Sequence, residues 1–180
     1  MKRKLIFIGS MALALLVQST FAAEKAKLIH ETANLQCLDR KVELQAECFD
    51  GDYMFMFCTS QSLNFTDGAT GKQINSRVFK AAPKKPKEDY PVVADQLESV
   101  DCVKTPASEK YIVTMLSNGG NCKECEWKEI YSWDGAFIGS SRDKNKRDEA
   151  KSIFRDVNNK KSKTFGRMNM EGFYLMKESQ

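Results

Sequence analysis

Two turn signals, a Cys-x-x-Cys pair and both tryptophans fall within residues 111–141 (YIVTMLSNGGNCKECEWKEIYSWDGAFIGSS). No other stretch restricts the fold as strongly. Ser117-Asn118-Gly119-Gly120 and Asp134-Gly135 reverse a chain readily, because Gly and Asn accept positive φ at little steric cost. Apolar segments lie beside and between them at 111–116, 126–133 and 136–140. This order predicts a three-stranded antiparallel meander. Cys122 and Cys125 add a condition: three residues apart on a regular strand, they face opposite sides and cannot bond each other. Either they bond locally in a loop over 118–125, or each leaves toward a distant cysteine such as Cys102. The local bond is favoured.

All six cysteines (Cys37, Cys48, Cys58, Cys102, Cys122, Cys125) lie beyond an N-terminal segment with the pattern of an export signal. Lys2, Arg3 and Lys4 precede an apolar run over 5–17, and small Thr20 and Ala22 stand at positions −3 and −1 of a cleavage site. A basic start, a short apolar run and a small-residue exit define a secretory signal peptide. The run is too short to span a membrane, which takes roughly 20 apolar residues. The expectation is a signal peptide over 1–22 and a single domain over 23–180, periplasmic or secreted, with no stable membrane anchor after cleavage. In that compartment an even number of cysteines implies a disulfide framework, whose connectivity stays open at this point. Cleavage would remove three cations and no acid, taking the formal net charge from +4 to +1. So small a charge gives no global argument for a nucleic-acid or membrane partner.

Elsewhere the pattern is mostly that of hairpins. Val42, Leu44, Ala46 and Cys48 alternate with polar residues over 42–49, and Asp50-Gly51-Asp52 leads into a second strand over 53–60. A further hairpin is expected over 62–66 and 73–80, around the turn at 67–72. Residues 81–91 hold three of the four prolines among many charges and are expected to form an exposed loop. Residues 92–97 suit a helical turn or short strand. Two helices are expected. One is short and N-terminal, over 24–39, where Leu28, Ile29, Ala33, Leu35 and Cys37 fall at loosely helical spacing; His30 would lie on its exposed face. The other is amphipathic, over 143–158, with Ala150, Ile153, Phe154 and Val157 on one side and Ser141 or Asp143 as cap. Residues 142–163 carry nine Lys/Arg against four Asp/Glu, best taken as a solvated face because no aromatic residues alternate with the charges. The chain is expected to close on a strand around 173–176.

Few chemistries fit. A strand followed by Cys122-Lys123-Glu124-Cys125 resembles the opening of a thioredoxin-like active site, which implies a thiol–disulfide oxidoreductase using that pair. Three features oppose it. Residues 127–133 alternate like a strand and are not helical; no proline follows Pro106 to face such a site; Glu124 and Glu126 would raise a thiolate's pKa, not lower it. Zinc would need two more thiolates or imidazoles, so no metal is expected. His30 is the only histidine, so a His-assisted nucleophile has no base within any motif. Glu126, Glu129 and Asp134 lie beside aromatic residues, but nothing marks two of them as the carboxylate pair of a glycan hydrolase.

The expected fold is therefore α+β: mainly an antiparallel sheet of about six to eight strands built from meanders and hairpins, one short N-terminal helix and one amphipathic helix near the C-terminus. The expected function is a non-catalytic binding module, such as an inhibitor or immunity-type protein that occupies an envelope enzyme or toxin. No cofactor and no nucleic acid are expected, and the partner is another envelope or secreted protein. Trp127, Tyr131 and Trp133 recur on one face of their strand. Core packing is their first use; an aromatic platform for the partner is the second.

Overall fold

The computed structural model describes residues 25–51, 55–86, 88–170 and 172–175. The expected signal peptide over 1–22 lies outside the described residues. Strands β1 (Leu28–Cys37), β2 (Arg40–Asp50), β3 (Met56–Asp67) and β4 (Gln73–Phe79) form one antiparallel sheet in sequence order. Strands β5 (Gln96–Lys104), β6 (Lys110–Ser117), β7 (Glu126–Ser132), β8 (Phe137–Ser140) and β9 (Lys163–Asn169) form a second, in the order β8-β7-β6-β5-β9. The chain is mainly antiparallel β-structure, but in two sheets instead of the one expected. Two sheets bury apolar faces against each other as a sandwich, and β5, β6 and β7 carry buried apolar residues on the outer face as well. Val42, Leu44, Leu63 and Phe65 from the first sheet share a core with Val100, Ile112, Leu116 and Tyr131 from the second. The Phe65 and Tyr131 rings meet across it at 5.2 Å.

The N-terminal helix expected over 24–39 is corrected to strand β1. Ile29, Ala33, Leu35 and Cys37 stand at odd positions, so all four meet the core from a strand. Their i, i+4 intervals fit a helix as well as a strand, and pairing along the whole of β2 settles the matter. His30 is accordingly exposed on a strand, 3.7 Å from Glu47.

The single helix expected over 143–158 is two, α1 (Lys144–Glu149) and α2 (Lys151–Val157), hinged at Ala150. Asp143 is the cap: its carboxylate accepts from the backbone N–H groups of Asn145 and Lys146 at 2.9 and 3.2 Å. Ala150 is buried against Gly139 of β8, where a Cβ would stand 2.6 Å from the Ala150 methyl. The missing side chain at Gly139 lets the helix pair reach the sheet. Ile153, Phe154 and Val157 then cover Val103, Val113 and Ile130 on its outer face.

The last strand also differs from expectation. It is β9, paired with β5. Phe173 and Tyr174 lie in a turn, Leu175 makes only an isolated bridge to Phe55, and Met176 lies outside the described residues. Tyr174 instead plugs the sandwich: its hydroxyl accepts from the backbone N–H of Leu97 and the side-chain amide of Gln61, at 3.2 and 3.0 Å. The described residues of 81–91, all but Lys87, form the expected loop between the two sheets, with an isolated bridge from Ala81 to Val93.

Candidate functional site

The cysteines pair as Cys37–Cys102, Cys48–Cys58 and Cys122–Cys125, and none is free among the described residues. The first joins β1 to β5 and thus sheet to sheet. The second links cross-strand neighbours of β2 and β3. The third closes the loop between β6 and β7, where the N–H of Cys125 donates to the carbonyl of Cys122 at 3.1 Å. Strand β7 begins at the next residue, so no helix N-terminus faces these sulfurs to stabilise a thiolate.

The three aromatic residues of β7 and its extension do not form a common surface. Trp127 and Tyr131 are 5% and 1% exposed, inside the sandwich. Trp127 borders a groove of about 330 Å³ with Glu129, Phe137 and Arg142, and the Arg142 guanidinium lies 4.2 Å from its ring centroid. Tyr131 donates to Glu129, a carboxylate only 5% exposed. Arg77 of β4 grips the same carboxylate with two bonds, at 3.2 and 3.3 Å. A buried charge needs such partners. Burial, and then the charge on Glu129, push the Tyr131 hydroxyl well above its ordinary value. Glu129 is thereby committed to holding β4 against β7. Glu126 is exposed and Asp134 lies at the far end of the strand, so the three acids beside the aromatics do not converge.

Trp133 lies elsewhere, at the end of the sandwich formed by the β1–β2, β3–β4, β5–β6 and β7–β8 turns. Arg40 is the hub there. Its guanidinium meets Asp39, Asp67 and Asp134 at 3.0, 3.1 and 2.8 Å, tying three turns together. The indole N–H of Trp133 donates to Asp39 at 3.0 Å. That bond is the main influence holding the Asp39 carboxyl below its usual range, while backbone N–H donation from Thr70 does the same for Asp67. The Lys110 ammonium lies 4.9 Å from the Trp133 ring centroid, and the Phe165 ring packs on the indole at 5.8 Å.

Leu38 stands out at this end. It occupies the β1–β2 turn with φ 54 and is 61% exposed. A side chain with a Cβ is strained in this left-handed region, which Gly or Asn occupies more readily. Leu38 is absent from the sequence-based candidates. Its signal was the two-residue turn Leu38-Asp39, which demands positive φ once β1 is known to be a strand. The expected helix concealed it.

Among the described residues no group of three or more His, Cys, Asp or Glu is placed to hold a metal ion, and no helix is long and apolar enough to cross a membrane. Compared with protein-family models, with curated proteins and with solved structures, the chain matches none.

Proposed function

We propose that this chain is an exported, non-catalytic binding module of the inhibitor or immunity type, and that it engages an envelope or secreted protein with the turn end of its sandwich. One observation carries the proposal: Leu38 is both backbone-strained and exposed. The two-residue turn requires the positive φ, but glycine or asparagine would meet it at lower cost, and the exposure of a leucine there serves no internal packing. An apolar side chain in water gains nothing from burial, and the left-handed backbone costs about 1–2 kcal/mol for a residue with a Cβ. Strain retained without internal return is characteristic of contact sites. A leucine on a hairpin tip is a protrusion and suits a partner's cleft. Phe165 and half-buried Trp133 supply apolar surface behind it, of the kind that surrounds an interface hot spot. The redox alternative has less support, because Cys122 and Cys125 lie between two strands and among acids.

Leu38→Gly separates binding from folding. Glycine relieves the strained φ, so the variant should be as stable as the wild type or more stable by about 0.5–1 kcal/mol, read as the midpoint of denaturant unfolding. Capture of the partner from an envelope extract should weaken by about 30-fold or more, the loss of one hot-spot side chain. A variant that captures the same protein undiminished would refute the proposal.

A further inference from the structure

Lys104 ends strand β5, and its cross-strand partners are Lys110 on β6 and Lys163 on β9. Three lysines therefore stand side by side across three neighbouring strands, each about 4.8 Å from the next. Directly opposed residues project from the same face of a sheet, and like charges placed so oppose pairing. The fold answers little of this repulsion. Lys110 reaches one carboxylate, Asp39, at 3.7 Å. Lys104 and Lys163 are exposed and have no ion-pair partner among the described residues, and the same holds for Lys160 and Lys161 just before β9. The acids at this end are already engaged: Asp39, Asp67 and Asp134 by Arg40, and Glu109 by the Tyr111 hydroxyl at 3.1 Å. The balance of the groups named at this end is positive, six cations (Arg40, Lys104, Lys110, Lys160, Lys161, Lys163) against four carboxylates. It is also local, since the chain as a whole is close to neutral without its N-terminal cations.

We infer that the row Lys163–Lys104–Lys110 recognises carboxylates, so that the partner presents an acidic protein segment beside the cleft that receives Leu38. This deepens the proposed function and rests on its choice of surface. Charge complementarity names the occupant, and its neighbours narrow the class. The row ends at Trp133 and Phe165, whose rings need apolar contact. Asp39, Asp67 and Asp134 share the single Arg40 guanidinium beside the row, so the positive surface is short, and a long uniformly charged polyanion would run from it onto carboxylates. A protein surface carrying both Asp or Glu and apolar side chains satisfies both conditions, and carboxylates one helical turn apart nearly match the spacing of the lysines.

The test uses the folded, oxidised protein, isotope-labelled for NMR, and a synthetic peptide of alternating Leu and Glu. Comparators are the same peptide with Gln for Glu, and heparin. The acidic peptide should shift the amides of Lys104, Lys110 and Lys163 and the indole N–H of Trp133, bind at least tenfold more tightly than the Gln peptide, and weaken with added salt. The double variant Lys104→Gln/Lys163→Gln removes like-charge opposition and should fold at least as well as the wild type, yet lose at least tenfold in affinity for the acidic peptide. Equal binding of the Gln peptide, shifts confined to another surface, or tighter binding of heparin at the same lysines would each overturn the inference. Weakened binding in Leu38→Gly with none in the lysine variant also overturns it but leaves the Leu38 contact standing. Weakened binding in the lysine variant alone supports the carboxylate site and removes Leu38 from the contact.

Discussion

Thr114 lies in the middle of β6, opposite Val100 and Glu129, with its hydroxyl buried and unbonded. A buried polar group without a partner forfeits its hydration for nothing in return. Thr114→Val keeps the branched shape that suits a strand and removes that cost. Stability should rise by about 1 kcal/mol, seen as a higher denaturant midpoint at unchanged slope. Leu38 is the opposite case, a residue whose backbone cost no contact within the described residues offsets, and which the proposed partner contact would explain. Spacing marked Trp127, Tyr131 and Trp133 as one group with core packing as the first use, which holds for Trp127 and Tyr131; it did not separate Trp133 from them. It was not enough for Leu38, whose meaning lies in its φ and exposure. Nor did it reveal the lysine row, since Lys104, Lys110 and Lys163 are brought together only by strand register.

Strands and turns were legible wherever a local rule decided them. The meander over β6, β7 and β8 follows from its two turn signals, and the β3–β4 hairpin from Asp67-Gly68. Element type was lost where the apolar interval was ambiguous, as in β1, whose core residues at i and i+4 satisfy both periods. The break at Ala150 was illegible too, because it answers to Gly139 on another element. The disulfides act at this scale and differ in what they tie. Their sequence separations are 65 for Cys37–Cys102, 10 for Cys48–Cys58 and 3 for Cys122–Cys125. Loop-closure entropy then assigns them about 4, about 3 and about 1.5 kcal/mol. Replacing each pair by alanines should lower the unfolding midpoint in that order. The opposite order would mean that local geometry outweighs loop length.

At the scale of the whole molecule, two buried phenols couple the fold to alkaline pH. Burial pushes the Tyr174 hydroxyl up to about 12 and raises Tyr131 further, whereas an unfolded tyrosine ionises near about 10. The folded state thus holds both protons more tightly. Both contributions are complete below about pH 10; that of Tyr174 is lost as the pH climbs through about 12, and the loss from Tyr131 continues above that. Circular dichroism and tyrosinate absorbance followed together should show these two phenols ionising only as the fold is lost; ionisation with the fold intact would contradict the assignment. The sandwich itself was only half legible, because alternation says that a strand has one buried face but not which sheet covers it. In this chain the answer follows sequence order: one sheet is complete at Phe79 and the other begins at Gln96. Cys48–Cys58 and Cys122–Cys125 each stay within one half, and Cys37–Cys102 alone crosses between them. A peptide bond broken within 81–91 therefore leaves one covalent molecule for as long as that bridge is oxidised. Once the bridge is reduced, the same cut yields two separate polypeptides, held to each other without a covalent bond, by the packing of their apolar faces and by cross-sheet pairs such as Arg40–Asp134 and Arg77–Glu129.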